Sequence, residues 1–241
     1  FDRTIRIWEV ATGRLLETLV GHRLGVWSAR FSPDGRRLVS AGEDGTGRLW
    51  GVGSGVSSEP FLGHDGPVFV AEFSPDGRRI ASAGIDALVL VWPSDDDQVL
   101  GFDHRRAIRD FQAGLPVEQR SLRGTLILQG HTAAIRDLRF VARDGGTQLV
   151  STGHDHTIRV WDPEVGSSIA LFRGHGQWVR CCDVSPTEGW IVSAGFDGLV
   201  RRWEIGQAGE KRVLQATTLQ GHDDAIVAAR FQGEQTVLTA S

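Results

Sequence analysis

The fold is decided by a stretch that recurs along the chain, and its first copy at residues 21–50 reads GHRLGVWSARFSPDGRRLVSAGEDGTGRLW. The Gly-His pair opens five repeats, and in four of them a tryptophan follows the histidine 28 or 30 residues later. The histidines are His22, His64, His131, His175 and His222, and the tryptophans are Trp50, Trp92, Trp161 and Trp203. A period of about 42 residues indicates one supersecondary unit per repeat, which needs its neighbours to bury its apolar face. The chain is therefore a repeat array.

Each unit alternates short apolar runs with turn-forming residues. In the first unit the run Val26–Phe31 precedes Pro33 and Gly35, which favour a tight turn. The chain resumes near Leu38, turns again, and leaves as an alternating run that ends at Trp50. Strands of about five residues separated by tight turns fit this pattern, and no segment has a sustained helical period. The predicted fold class is all-β.

The repeats resemble those of the WD-repeat family of β-propellers, whose blades carry Gly-His before one strand and Trp-Asp after another. Only Trp161-Asp162 is the literal pair. The other tryptophans keep the spacing but change the next residue, in Trp8-Glu9, Trp50-Gly51, Trp92-Pro93 and Trp203-Glu204. The resemblance covers nearly the whole chain and implies a β-propeller of four-stranded blades, with five repeat equivalents here.

We expect residues 1–241 to form one WD-repeat propeller, or part of one. We expect blades at about 9–50, 51–92, 93–161, 162–203 and 204–241, the last completed by residues 1–8. Read head to tail, Thr239-Ala240-Ser241-Phe1-Asp2 has the spacing of Ser193-Ala194-Gly195-Phe196-Asp197. Either the terminal strands close a ring in one blade, or the chain is a piece of a longer array. The absence of methionine and the family's usual number of about seven blades favour the fragment.

The resemblance also implies a buried hydrogen-bond relay of Trp, Ser or Thr, His and Asp in each blade. Asp precedes Trp by six residues in every set, although hairpin lengths vary. The four complete sets are Trp50/Ser40/His22/Asp44, Trp92/Ser82/His64/Asp86, Trp161/Ser151/His131/Asp155 and Trp203/Ser193/His175/Asp197, and the chain ends supply His222, Thr239, Asp2 and Trp8. Such a relay satisfies polar groups that are otherwise costly to bury.

Ser, His and Asp together also fit the nucleophile, base and orienting group of a hydrolase. An enzyme needs one such set in a cleft beside an oxyanion hole, whereas here the set recurs in blade after blade on apolar strands. We therefore expect no catalytic residue, no cofactor site and no enzyme activity in this segment. A propeller hydrolase would need a unique cluster in the channel, and the sequence shows none.

One long insertion interrupts the period. Gly130 comes 38 positions after Trp92, where the regular interval is 13, and a shorter insertion of five residues precedes Gly221. The insertion at about 93–120 holds a candidate short helix at Asp103–Ala113, with Ile108 and Phe111 three residues apart. We interpret the insertion as a surface loop, either solvated or used for docking, and assign no chemistry to Asp95–Asp97.

Composition bounds the partners and the compartment. The net charge of −4 gives no basic field for nucleic acid, and no apolar stretch approaches the ~20 residues of a membrane span. Lys211 is the only lysine among 26 basic residues, which suggests a GC-rich, bacterial genome. We expect a protein or peptide partner, with no nucleic acid, no membrane and no metal, and we infer a cytoplasmic location mainly from the resemblance.

Two motifs invite a chemical interpretation that the pattern does not favour. Cys181 and Cys182 are neighbours on one strand, so a disulfide between them would be strained, and we expect two free thiols rather than a thiol switch. His154-Asp155-His156 could hold a metal, but Asp155 belongs to a relay and two imidazoles are too few ligands.

Partner binding is predicted at positions that vary while the relay does not. They are the third and fifth positions after each repeat histidine and the position before each relay Asp, where WD-repeat proteins present side chains at one end of the channel. The candidates are Trp27, Phe69, Arg136, Trp178, Arg180, His154, Phe196, Phe1, Glu43 and Ile85. Aromatic and arginine side chains are typical of interface hot spots. The alternative for Trp27 and Phe69 is packing between neighbouring blades.

Two functions fit these features. The first is a non-catalytic scaffold that binds a protein or peptide on one propeller face. The second is the sensor or regulatory repeat segment of a multidomain bacterial kinase, ATPase or peptidase. The residues of this segment contain no Gly-rich phosphate loop, metal triad or unrepeated acid and base pair.

Overall fold

The structure is a computed structural model that describes residues 2–54, 60–94, 103–114, 124–143, 146–185, 189–204, 217–233 and 236–241. These residues form nineteen strands and one helix. The chain divides into two compact units, Phe1–Ile127 and Leu128–Ser241.

The first unit is built of antiparallel hairpins and one short helix. Its strands are β1 (Thr4–Glu9), β2 (Arg14–Val20), β3 (Val26–Phe31), β4 (Arg37–Gly42), β5 (Gly47–Gly51), β6 (Val68–Phe73), β7 (Arg79–Gly84) and β8 (Leu88–Pro93). Its helix is α1 (Arg105–Gln112), and β9 (Leu126–Gln129) crosses the boundary between the units. The sheets are β1-β2, β3-β4-β5 and β6-β7-β8-β9, and Phe61 adds a single bridge to Gly47 at the edge of the second.

The second unit repeats the same meander. Its strands are β10 (Ile135–Arg143), β11 (Gly146–Gly153), β12 (Thr157–Asp162), β13 (Ser167–Arg173), β14 (Val179–Val184), β15 (Trp190–Gly195), β16 (Val200–Glu204), β17 (Thr217–Leu219), β18 (Ala228–Gln232) and β19 (Thr236–Ala240). They form the four-stranded sheets β10-β11-β12-β13 and β14-β15-β16-β17 and the pair β18-β19.

The sheets are offset from the sequence units by one strand. The sequence unit at 9–50 contains β2, yet β2 pairs with β1 of the preceding sheet. Likewise β13, inside the unit at 162–203, pairs with β12. Each unit therefore gives its first strand to the sheet before it, which ties consecutive sheets together through the chain.

In the sheets β3-β4-β5 and β6-β7-β8-β9, the first hairpin is closed by a Ser-Pro-Asp-Gly turn whose geometry explains its composition. Ser32 Oγ donates to Asp34 Oδ1 at 2.6 Å, and the backbone N–H of Gly35 donates to the carbonyl oxygen of Ser32 at 2.9 Å. Gly35 has a φ of 71°, a left-handed conformation that glycine adopts without a steric cost. The turn at Ser74 repeats the same hydrogen bonds, with Gly77 at the same φ of 71°.

Within each unit, neighbouring sheets contact each other through their first strands, and polar side chains join these strands. Ser28 Oγ accepts the backbone N–H of Ala71 at 3.2 Å. In the second unit Asp137 Oδ2 accepts the N–H of Cys182 at 3.1 Å, and the Asp137 carboxylate is paired with Arg139 at 2.8 Å. These bonds fix the position of each first strand against the next, and apolar clusters from adjacent sheets fill the space between them.

The described part of the insertion is packed against the first unit. The backbone N–H of His104 donates to the carbonyl oxygen of Leu62 at 2.6 Å, and His104, Ala107 and Ile108 are buried. The His104 ring meets Trp92 edge to face at 5.2 Å. Residues 103–114 are therefore a docked segment rather than a solvated loop, and Asp95–Asp97 lie outside the described residues.

Both cysteines are free, buried thiols. Burial raises the pKa of the Cys181 thiol to about 11 and that of the Cys182 thiol well above its usual value, so neither forms the reactive thiolate near neutral pH.

Candidate functional site

The relay in the sheet β14-β15-β16-β17 shows how the polar groups are satisfied. Trp203 Nε1 donates to Ser193 Oγ at 2.7 Å, and Ser193 Oγ lies 2.8 Å from His175 Nε2. His175 Nδ1 lies 2.8 Å from Asp197 Oδ2. Because indole only donates, the serine hydroxyl gives its proton to Nε2, and Nδ1 gives its proton to the carboxylate. The chain of donors therefore requires a neutral histidine and an ionised aspartate.

Three further relays have the same geometry. Their Trp to Ser distances are 2.7 to 2.8 Å and their Ser to His distances are all 2.8 Å. They are Trp50/Ser40/His22/Asp44, Trp92/Ser82/His64/Asp86 and Trp161/Ser151/His131/Asp155. The side chains of the four histidines are at most 3% exposed, so each relay is an internal part of its sheet.

The pKa values of the relay groups agree with this proton arrangement. Burial alone would raise the pKa of Asp155, but hydrogen bonds from His131, Thr157 and the N–H of Thr132 more than offset it and lower that pKa. The pKa of Asp86 is lowered in the same way. Burial lowers the pKa of His175 and outweighs its neighbour Asp197. At neutral pH the His175 imidazole is therefore neutral, and the carboxyl groups of Asp86 and Asp155 are ionised.

The residues from the chain ends differ from the four relays. His222 Nε2 lies 2.7 Å from Thr239 Oγ1, as in the other sets, but its Nδ1 meets the hydroxyl of Ser241 at 3.1 Å. Asp2 is exposed and pairs with Arg6 at 2.8 Å, and Trp8 is 53% exposed. Asp2 and Trp8 therefore lack the buried surroundings of their counterparts in the complete relays.

The relays are not built for catalysis. The hydroxyls of Ser40, Ser82, Ser151 and Ser193 belong to side chains that are at most 1% exposed, and each already accepts an indole N–H. A nucleophile must meet substrate in a cleft with oxyanion donors. These serines meet only the protein interior.

Four of the candidate binding residues share a backbone feature, a β-bulge near the start of the first strand of their sheet. The register slips between Val26 and Ser28, and in the second unit between Ile135 and Asp137. The same slip occurs in β6 and β14. The skipped residues, which we call the bulge residues, are Trp27, Phe69, Arg136 and Arg180. A bulge re-aims a side chain out of the regular strand alternation.

In the second unit, aromatic rings gather beside the bulges. His154 stacks on Trp178 with ring centroids 4.2 Å apart and an interplanar angle of 8°, and Phe196 meets Trp178 edge to face at 5.4 Å. The backbone N–H of His154 donates to Ala134, and that of Phe196 donates to Trp178, which holds each turn beside a strand entry. Trp178 is 45% and Phe196 is 40% exposed. Together with Arg136 and Arg180, these three residues form what we call the aromatic-arginine group.

The electrostatics of the aromatic-arginine group are positive. Burial and the nearby charge of Arg180 lower the pKa of Arg136 to about 10, so it stays protonated at neutral pH. Burial and the charges of Arg136 and Arg180 lower the pKa of His154. At neutral pH the group therefore presents two guanidinium ions beside a neutral imidazole.

In the first unit, equivalent positions carry a different set of side chains. Trp27 meets Phe69 edge to face at 5.7 Å, and Trp27 remains 40% exposed despite this contact between neighbouring sheets. The turn residues Glu43 and Ile85 are both exposed. Phe1 lies outside the described residues. The structure thus brings together Trp27 with Phe69, and His154 with Trp178 and Phe196.

A groove of about 410 Å³ in the first unit was not anticipated from the sequence. Its lining includes Arg23, Glu43, Arg48, Asp65 and Arg105. Arg105 comes from the inserted helix, and only the docking of α1 brings it there, so no sequence pattern indicates the groove.

The described residues contain no cluster of three or more His, Cys, Asp or Glu side chains arranged to hold a metal ion. In His154-Asp155-His156, His154 stacks on Trp178 and Asp155 accepts from His131. Among the described helical residues, no segment is long and apolar enough to cross a bilayer.

Antiparallel four-stranded sheets with one Trp-Ser-His-Asp relay each define the class of β-propeller repeat proteins. The chain belongs to the WD-repeat family, because the family model of the WD domain, G-beta repeat, matches residues 13–51, 55–93, 122–162 and 166–204.

Among curated proteins, the chain is similar to WD-repeat proteins with different roles. It is 42% identical over 81 residues to WD repeat and SOCS box-containing protein 1 of Xenopus tropicalis, which is 33% of this chain and 19% of that protein. It is 30% identical over 132 residues to the ribosome biogenesis protein WDR12 homolog of Drosophila persimilis, 48% of this chain and 32% of that protein. It is 30% identical over 102 residues to the nuclear distribution protein PAC1 of Arthroderma otae, 40% of this chain and 22% of that protein.

The chain thus matches between about a fifth and a third of the length of these relatives. All three come from eukaryotes, and they give no support to the bacterial origin suggested by the arginine content.

Proposed function

We propose that this chain is a non-catalytic scaffold that binds a protein or peptide partner through its bulge residues and the turn residues beside them. The observation that carries the proposal is the separation of two kinds of side chain. Relay residues are buried and identical from sheet to sheet, whereas the bulge residues differ and are re-aimed by the register slip.

The chemistry of the varying positions supports a protein partner. Trp27 and Trp178 each leave about two fifths of a large ring in solvent, at 40% and 45%. Half-exposed aromatic rings next to arginine are the side chains that dominate protein interfaces when they become desolvated. The second unit presents such rings beside Arg136 and Arg180, and the first unit presents Trp27 and Phe69 at the equivalent positions.

The relatives support the same interpretation at the level of the repeat. Their names place similar repeats in a SOCS box protein, a ribosome biogenesis protein and a nuclear distribution protein. A repeat that serves such different proteins supplies a surface rather than a reaction. The role as the regulatory segment of a multidomain enzyme, and the cytoplasmic location, stay predictions from the sequence.

The test is selection of binders from a displayed library of random ten-residue peptides, followed by a double variant. Trp27→Ala combined with Arg180→Glu removes one side chain from each unit's group. We expect the selected peptides to lose at least tenfold in affinity for the double variant, with its thermal unfolding midpoint within a few degrees of the parent. Unchanged affinity of the folded double variant would refute binding through these residues.

A further inference from the structure

We infer that the aromatic-arginine group binds an acidic segment of an extended peptide, with a carboxylate side chain between Arg136 and Arg180 and an adjacent apolar side chain on Trp178 and Phe196. This inference rests on the proposed function and specifies the chemistry of the partner. It goes beyond a general binding face because it predicts which peptides bind and which do not.

The two arginines occupy equivalent bulges on neighbouring strands. Arg136 is skipped in the ladder of β10 and Arg180 in that of β14, and these two strands contact each other. Their guanidinium groups are close enough for the charge of Arg180 to lower the pKa of Arg136. Two like charges held side by side are costly, and an anion placed between them removes that cost.

The nearby carboxylates are engaged in the framework. Asp155 accepts from His131 and Thr157, and Asp197 accepts from His175 and the N–H of Gly176. Asp137, next to Arg136 in sequence, is paired with Arg139 and accepts the N–H of Cys182. The described residues show no ion pair or side-chain hydrogen bond for Arg180. Arg180 therefore adds positive charge to this surface, on a chain whose net charge is −4.

The remaining titratable neighbours do not oppose an acidic ligand. The pKa of His154 is lowered, so its ring is neutral at pH 7 and serves as a stacking surface for Trp178. His156 is exposed on the same turn. A half-buried guanidinium binds carboxylate more strongly than an exposed one, because water screens the pair less and the planar group forms two parallel hydrogen bonds.

The first unit provides an internal comparison. Its bulge residues are Trp27 and Phe69, so it has aromatic rings at the positions of Arg136 and Arg180. Its turn residues are Glu43 and Ile85 where the second unit has His154 and Phe196. The preference for acid is therefore specific to the second unit and does not follow from the repeat itself.

The test starts from the selected ten-residue peptides and asks for their composition. We expect Asp or Glu next to an apolar residue in the binders that depend on Trp178. The best binder is then made with Glu, with Gln and with phosphoserine at the acidic position, and each affinity is measured by fluorescence anisotropy. The Gln peptide should bind at least tenfold more weakly than the Glu peptide. Equal affinity would overturn the inference, and so would a phosphoserine peptide that binds more than tenfold tighter than Glu.

A charge exchange provides the second arm. Arg180→Glu should weaken the Glu peptide at least tenfold and strengthen an analogue with Lys at that position. Arg78→Glu, at an exposed residue of the hairpin between β6 and β7, makes the same change in net charge and should leave both affinities unchanged. Arg180→Gln repeats the loss if Arg180→Glu fails to fold, as judged by circular dichroism. Loss of the Glu peptide without any gain for the Lys peptide would contradict direct pairing.

The outcomes distinguish failure of this inference from failure of the proposed function on which it rests. If no selected peptide depends on Trp178, Trp27 or Arg180, the proposed function fails. If selected peptides depend on Trp178 but show no preference for acid, the proposed function holds and the acidic partner is wrong.

Discussion

The residue after each relay aspartate adopts a left-handed backbone. Gly45 has a φ of 77° and Gly198 one of 70°, whereas Ala87 and His156 have values of 63° and 65°. Glycine tolerates this region, while a side chain there costs roughly 1–2 kcal/mol. Two turns of the repeat therefore carry strain that the other two avoid.

Replacing Ala87 with glycine should relieve that strain. We expect Ala87→Gly to raise the free energy of unfolding by about 1 kcal/mol, measured by urea titration. Gly45→Ala is the matched control and should lower it by at least as much, because the added Cβ would lie 3.2 Å from the carbonyl oxygen of Gly66. A loss of stability in Ala87→Gly would show that the turn is not strained.

The relay carboxylates should stabilise the fold through buried hydrogen bonds. We expect Asp197→Ala to lower Tm by several degrees, because Nδ1 of His175 and two backbone N–H groups lose their acceptor. Asp2→Ala is the control, because Asp2 is exposed and its ion pair with Arg6 lies at the surface. Equal melting curves for Asp197→Ala and the parent would refute a stabilising relay.

At the scale of elements, helix α1 shows how an insertion adapts the sheet beneath it. The position two residues before the relay tryptophan is arginine in three sheets, at Arg48, Arg159 and Arg201. In the sheet that α1 covers it is Leu90, which shares a buried cluster with Ile108. The insertion and the sheet are therefore matched in polarity.

The contact between helix and sheet predicts a large effect of Ile108. We expect Ile108→Ala to lower the free energy of unfolding by about 3 kcal/mol, because the side chain is 2% exposed and its removal leaves a cavity. Phe111→Ala, at a residue that is 38% exposed on the same helix, should cost less than about 1 kcal/mol. Similar losses for the two variants in urea titrations would mean that α1 is not docked through Ile108.

The sequence predicts some of these elements and misses others for physical reasons. The hairpin turns follow from Pro33 and Gly35, because their backbone preferences are local. The helix follows from the spacing of Ile108 and Phe111, but its docking depends on Leu62, Leu90 and Trp92 beneath it. The bulges at Trp27 and Arg180 are missed because a slip in register depends on the partner strand, and the alternation of one strand does not record it.

For the whole molecule, the relays predict a loss of stability in acid. The pKa of His175 is lowered by burial, so the unfolded chain takes up a proton first as pH falls below about 6.5. The pKa values of Asp44, Asp86 and Asp155 are also lowered, so their stabilisation is complete above about pH 4 and is lost below it. Both effects have the same sign.

We therefore expect the urea midpoint to fall between pH 7.5 and pH 5.5, and to fall more steeply below pH 4. Adding 0.5 M NaCl should change this profile little, because buried pairs are screened far less than surface pairs. A midpoint that stays constant from pH 7.5 to pH 4 would contradict the assigned protonation states.

The repeat array could be predicted from the sequence because the relay residues recur at fixed intervals, such as the spacing of Ser193, Asp197 and Trp203. The proposed binding side chains could also be predicted, since they lie at fixed offsets from the same residues. The grouping of these side chains in space could not be predicted, because the stack of His154 on Trp178 joins turns that belong to different sheets.

The central claim is that the relay maintains the fold while the bulge and turn residues bind the partner. The most direct measurement is made on the Trp178→Ala variant. It determines the free energy of unfolding of this variant and its affinity for the selected acidic peptide. We predict that affinity falls at least tenfold while the free energy of unfolding changes by about 1 kcal/mol or less. A loss of several kcal/mol in stability, with the affinity of the folded protein unchanged, would show that Trp178 belongs to the framework and would contradict the account.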